Sequence, residues 1–343
     1  MTIKSIGATG RDYATVALWE AASPANLVTA VDTWEGEMYN DAEIVTSTVT
    51  AITGITTDAT HNVQLRCATG QSFKDTAGVA LDYNTTNGVA MRCTADNVIC
   101  LDVHAKFTTI NGIQFKHSGT GYARIALYCA STGSGDGEGA VISQCIMRGG
   151  GNAPDRAAVQ FSGELNQKLT NCLIIGNDAA AHGLYLGTAT ANAITITACT
   201  IVKDTTTSAT GSIGVTVNYG AGTHIIKGCA VFGFATNFGS TYAAASGRNG
   251  TDAGSAPGSN NVVSLTYANQ FMATTNDFRL KAGNGLEALS AQYTETGDVD
   301  IKGQTRGATP DIGAWEVVSA STVDPRILTG SATIFGLPGL YLK

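Results

Sequence analysis

The 343-residue chain is poor in charge: only 14% of its residues are Asp, Glu, Lys or Arg, against roughly 25% in an average soluble chain. It has six prolines and no basic tract, and its net charge is −7. This argues against nucleic acid as a partner, since no basic tract exists to neutralise phosphates. No apolar run reaches the length of about 18 residues that a membrane span needs. The opening Met-Thr-Ile-Lys-Ser-Ile-Gly has neither a basic nor an apolar signal region, so no secretion signal is expected. There is no CxxC pair, and His61, His104, His117, His182 and His224 do not pair at ligand spacing, so no metal and no cofactor are expected. No phosphate loop, dinucleotide fingerprint or Ser-His-Asp order occurs.

What the chain does have is glycine, 41 residues of it, and a rhythm. Four segments repeat: Val141-Ile-Ser-Gln-Cys145-Ile-Met, Leu169-Thr-Asn-Cys172-Leu-Ile-Ile, Ile196-Thr-Ala-Cys199-Thr-Ile-Val and Ile225-Ile-Lys-Gly-Cys229-Ala-Val-Phe. Their cysteines lie 27, 27 and 30 residues apart. A β-rich unit returning at a nearly fixed period, without a helical stripe, describes one coil of a solenoid. The predicted fold is all-β, a right-handed parallel β-helix with a short N-terminal capping helix and an extended C-terminal arm. Stacking places Cys145, Cys172, Cys199 and Cys229 inside the coil as small hydrophobes. In-register side chains on parallel strands point the same way, which disfavours the disulfide torsion, so free buried thiols are expected.

A second family of period-2 strands is aligned as Val63–Cys67, Val89–Cys93, Ile125–Cys129, Val159–Gly163, Leu184–Gly187 and Val215–Asn218. Ile110-Asn-Gly112-Ile-Gln-Phe115 reads as an earlier member of the cysteine family, with Gly112 in the cysteine slot. Gly-rich or polar insertions at 131–139, 149–155, 187–193 and 205–211 are expected on one face of the solenoid, and 239–260 reads as an extended loop. Residues 1–40 form an N-terminal strand and capping helix, 41–316 the β-helix, and 317–343 an extended arm. In the cap, Asp12 is the expected N-cap, with Tyr13, Val16 and Trp19 on one helix face. Trp19 and Trp34 read as core rather than as a ligand site.

The segments Asp277-Phe-Arg-Leu-Lys-Ala-Gly-Asn, Asp298-Val-Asp-Ile-Lys-Gly-Gln-Thr-Arg306 and Pro310-Asp311-Ile-Gly-Ala-Trp315-Glu316, with the opening Ser5-Ile-Gly-Ala-Thr-Gly-Arg-Asp12-Tyr, resemble the ends of right-handed parallel β-helix proteins of the pectate-lyase-like superfamily. The resemblance implies the fold and a closing coil, in which Arg306 and Asp311 could pair. It leaves activity open, because that superfamily spans lyases, hydrolases, esterases and adhesins. Proteins with these ends are often those of tailed bacteriophages, so it implies a virion localisation with synthesis in the host cytoplasm, other virion proteins of capsid or tail as partners, and a homo-oligomer such as a trimer.

The tail beyond Glu316 is apolar, and Ile334, Phe335, Leu337, Pro338, Leu340 and Tyr341 are its expected partner-docking residues. A glycan hydrolase would need two carboxylates roughly 5–9.5 Å apart. Asp136, Glu138, Asp155 and Glu164 lie near the loops, but only Asp178 and Asp204 recur at a near-equivalent position, 26 residues apart. Turn formation explains them as well, as it does His182 beside Asp178. Arg148 and Arg156 lie near these loops without an acidic cluster. The leading expectation is a non-enzymatic capsid-decorating or tail protein. The alternatives are a tailspike-like polysaccharide depolymerase and a carbohydrate-binding adhesin. A groove with acids and aromatics would favour the depolymerase, and aromatics without acids the adhesin.

Overall fold

A computed structural model describes residues 1–76, 78–120, 124–129, 137–150, 157–162, 166–177, 182–187, 193–204, 211–218, 222–287 and 299–317. The chain winds as a parallel β-helix with three sheets. Sheet I has eight strands, from Thr2–Ile6 to Ile225–Lys227; sheet II has eight, from Ile44–Thr46 to Gly250–Thr251; sheet III has seven, from Thr50–Ile52 to Thr236–Phe238. The named strand pairings are all parallel. Among the described residues no helix is long and apolar enough to cross a membrane.

The cysteine rhythm is the rhythm of one corner. Each of the last four sheet I strands, such as Val141–Ser143, is followed by one residue with positive φ and then by a cysteine that leads into sheet II. Gln144, Asn171, Ala198 and Gly228 take the left-handed conformation, with φ between 51° and 60°. Glycine and asparagine adopt it cheaply, and alanine does so at a cost. Gly112, with φ of 78°, occupies this corner position. The cysteine slot of that coil is filled by Ile113, so the expectation that Gly112 held it is corrected by one residue.

Cys145, Cys172, Cys199 and Cys229 are fully buried in one core cluster and unbridged. Each thiol donates to the carbonyl two residues earlier, at 3.2–3.4 Å, so it fills the core and satisfies the turn at once. Burial pushes the Cys67 thiol up to about 12, and it pushes Cys172 and Cys229 up as well. All eight cysteines are buried and free. The folded chain will therefore give no reaction with a thiol-specific chromogenic reagent at pH 8, and all eight will react in denaturant.

The second strand family is not one face of the coil. Val63–Cys67 lies in sheet I and Ala90–Cys93 in sheet II. Leu127–Cys129, Val159–Phe161, Leu184–Leu186 and Ile213–Val217 lie in sheet III. Period 2 separates inward from outward side chains but says nothing about which sheet a strand joins. The inserted residues at 130–136, 151–156, 163–165, 178–181, 188–192, 205–210 and 219–221 all fall between sheet III strands and their neighbours in sequence.

The N-terminal helix Val16–Ala21 covers the first coil. Its N-cap is Thr15, whose hydroxyl accepts from the Leu18 N–H, and not Asp12. The Asp12 carboxylate instead accepts from the N–H and hydroxyl of Ser5. Trp19 and Trp34 are buried and stack at 6.3 Å. Gly36 makes the fit possible, since a Cβ there would lie 2.8 Å from both Trp19 and Ile6. At the other end, 239–260 is more than a loop: Gly250–Thr251 extends sheet II, and Gly247 and Gly250 bridge to Ser259 and Val262.

The segment 299–317 adds no further coil to the stack. It runs as a strap across the corner between sheets I and II. The Gln144 amide donates to the Asp300 carbonyl at 2.7 Å, Arg306 donates to the Asn171 side-chain oxygen at 3.0 Å, and the Ala314 N–H donates to the Thr200 hydroxyl at 2.9 Å. The Gly313 N–H donates to the Gly228 carbonyl at 2.8 Å. Four successive coils are thus tied by one segment. With 267–286, the strap covers the outer face of sheet II and forms a second core around Leu173, Val202, Phe232, Phe271, Phe278 and Ile312.

Candidate functional site

Three places could carry function: the sequence-predicted carboxylates, the outward face of sheet III, and the root of the C-terminal arm. Asp178 lies outside the described residues, as do Asp136, Asp155, Arg156 and Glu164. Glu138 pairs with Lys106 at 3.2 Å. Asp204, the described member of the expected pair, follows the sheet II strand Thr200–Lys203. It is buried and ion-paired with Arg148. The same guanidinium holds Asp82 at 2.7 Å. Burial pushes the Asp82 carboxyl up, against the pull of Arg148. Two carboxylates converge on one half-buried guanidinium. One oxygen of each is held by the cation, unlike the pair of carboxyls facing a sugar that glycan hydrolysis needs. Asp82 was invisible in the sequence because a loop 66 residues upstream delivers it.

Outward positions of sheet III form a row in register: Asp102, Tyr128, Gln160, Tyr185 and Thr216. Asp102 is held by His104 at 3.1 Å, and burial pushes its carboxyl up. The Tyr185 hydroxyl accepts from the Asn218 amide at 2.9 Å. Among the described residues one oxygen each on Asp102, Gln160 and Thr216 is buried without a hydrogen-bond partner. This is an aromatic and polar row with a single acid.

The strap immediately precedes residues 318–343, which lie outside the described residues. Arg306 has a fully buried side chain. It binds the Glu316 carboxylate at 3.1 Å, the Gly313 carbonyl at 2.8 Å and the Asp311 carbonyl at 3.3 Å. Arg306 thus meets Asp311 at its backbone carbonyl and pairs ionically with Glu316. The Asp311 carboxylate accepts from the N–H of Val317, the last described residue, at 2.6 Å. Ile334, Phe335, Leu337, Pro338, Leu340 and Tyr341 lie outside the described residues. No group of three or more His, Cys, Asp or Glu side chains among the described residues could hold a metal ion.

The histidines serve the fold. His117, His182 and His224 are buried. Each accepts a backbone N–H at Nδ1, from Gly119, Ile213 and Ile194 respectively. Such a ring must be neutral. Burial depresses the pKa of His117 below its ordinary value, so below about pH 6.5 the unfolded chain binds a proton that the folded chain refuses. Stability is then full above that pH and falls as pH falls through it. Denaturant titrations at pH 7.5 and 5.5 should show the loss, and His117→Gln should reduce it.

No family model matches the chain, and no curated protein matches it. Among solved structures it is similar to the crystal structure of pectate lyase Pel9A, at 10% identity and a TM-score of 0.39, over 92% of this chain and 97% of that one.

Proposed function

We propose that the chain is a non-enzymatic structural protein of a tailed-bacteriophage particle, a capsid-decorating or tail-associated β-helix that docks through its C-terminal arm and works as a homo-oligomer. The observation that carries this reading is the bolted root of the arm. The fully buried Arg306, paired with Glu316 and bonded to Asn171, locks residues 299–317 against the coils immediately before the arm begins. A tether that holds a body on a particle needs a root of this kind. The commitment of Asp204 and Asp82 to Arg148 supports the non-enzymatic part.

A second reading, glycan attachment without catalysis, is favoured by the Tyr128, Gln160, Tyr185 row, whose aromatic faces and amide suit sugar rings and hydroxyls.

The test is a chain ending at Val317. It should fold with an unchanged melting temperature and fail to enter particles, and normal incorporation would overturn the docking arm. The intact chain should release no reducing ends from host surface polysaccharide. Release that disappears in Asp204→Asn would establish an enzyme. Retention of polysaccharide without release would favour attachment.

A further inference from the structure

Exposed apolar bulk is unevenly spread over the molecule. Of the nine large apolar side chains exposed among the described residues, seven belong to the first 49 residues. Met1 and Ile3 lie on and beside the strand Thr2–Ile6, and Leu18 lies on the capping helix. Val28 and Val31 belong to the short helix Leu27–Ala30 and its end, and Val45 and Val49 to the approach to sheet III. Thr2–Ile6, Ile44–Thr46 and Thr50–Ile52 are the outermost strands of the three sheets, so these side chains share one end of the solenoid. The capping helix packs on both Thr2–Ile6 and Thr50–Ile52, and the Met1 amine meets Asp32, beside Val31, at 2.7 Å.

Val31 shows that this exposure is kept against a cost. It ends its helix in the left-handed conformation, with φ of 52° and ψ of 45°. Glycine or asparagine is usual at such a place, because a branched Cβ crowds the backbone there. Among the described residues Val31 is the one β-branched residue with positive φ. Its side chain is nevertheless 73% exposed, so little packing within the chain offsets the strain. A strained, exposed valine gains from its shape only when another surface covers it.

The polar groups of this end indicate which surface. Lys4 pairs with Asp12 at 3.8 Å and Arg11 with Asp41 at 2.7 Å. Glu20 accepts from the Thr53 N–H at 3.1 Å. Its charges are answered inside the chain, so a strongly charged partner finds no counter-ion there. A second copy brings the same apolar, internally paired surface, and a two-fold contact sets identical patches against each other. Seven such side chains, about half exposed, present on the order of 500 Å² of apolar surface, which matches the apolar share of the roughly 800 Å² that each partner buries in a standard interface. The same contact would cover the open edges on which Ile3 and Val45 lie.

We propose that the N-terminal end of the solenoid is the interface of a two-fold dimer, in which Leu18, Val28 and Val31 pack on the same end of a second copy. This rests on the homo-oligomer part of the function proposed above and not on the docking arm.

The test is sedimentation velocity of the full chain between about 0.5 and 100 μM, where a Kd of about 10 μM or tighter is expected for an interface of this size. Val31→Asn should weaken the dimer at least about tenfold, while the melting temperature of the dilute chain holds or rises, because asparagine accepts the left-handed turn. Leu18→Asp should abolish the dimer by setting like charges in an apolar contact. Met272→Asp, exposed far along the chain, should leave it unchanged. Phe335→Asp in the arm should also leave it unchanged, and loss of the dimer there would make the arm the occupant and overturn the proposal. A chain that stays monomeric at 100 μM, or forms a trimer, overturns it, as does a dimer indifferent to Val31→Asn and Leu18→Asp. None of these outcomes touches arm docking, which particle incorporation decides.

Discussion

Arg306→Leu should lower the unfolding free energy by about 3–5 kcal/mol, the usual loss when one partner of a buried ion pair is removed. The side chain is fully buried, and its removal leaves the Glu316 carboxylate and the Asn171 side-chain oxygen without their donor. Part of the Glu316 loss is cushioned, because that carboxylate also accepts from the N–H groups of Asp311 and Gly307. Arg306→Lys should recover only a fraction, since one ammonium cannot reach Glu316, Asn171 and the Gly313 carbonyl together. The measurement is a urea midpoint, with limited proteolysis to locate the effect. New cleavage should appear in the strap while the coils stay protected. A cleavage pattern like that of the native chain would contradict the role given to Arg306.

The second large effect belongs to the other end. Trp19→Ala should cost about 3–5 kcal/mol, as for other fully buried aromatics. Trp19 lies against Trp34, Ile6 and the edge of the gap left by Gly36. Without it the first coil presents apolar core and an open strand edge to solvent, so self-association should accompany the loss. Sedimentation velocity alongside the urea midpoint would register both. Leu18→Ala is the control: Leu18 is 54% exposed on the same helix and should change stability by no more than about 0.5 kcal/mol. Equal effects at the two positions would mean that the helix does not act as a cap.

The coil was legible because its corner is short. One left-handed residue and one cysteine separate sheet I from sheet II, so the two strands and their spacing travel together in sequence. Sheet III strands alternate equally clearly but are reached through connections of varying length, and alternation alone could not tell Val63–Cys67 from Val159–Phe161. The strap was read as a coil because it has the apolar content of one. Its partners, Gln144, Asn171 and Thr200, lie 114 to 156 residues away, and no local period announces such a contact. The sheet II row of Arg92, Lys116 and Arg148 was within reach. Met91-Arg, Phe115-Lys and Met147-Arg each place a base after a core residue, which marks one outward row once the coils are aligned. Asp82 and Glu43, which answer two of those charges, come from loops outside the repeat.

The strap also decides how the molecule bears force. A pull applied at Val317, one residue beyond Glu316, would pass to bonds on the corners at Gly228, Thr200, Asn171 and Gln144. Those bonds are spread along the solenoid axis, so tension along that axis loads them together, in shear. A solenoid without such a strap would yield one rung at a time, like a zip opened from its end. Here several coils must let go at once, and the rung structure beneath them is spared until the strap has parted.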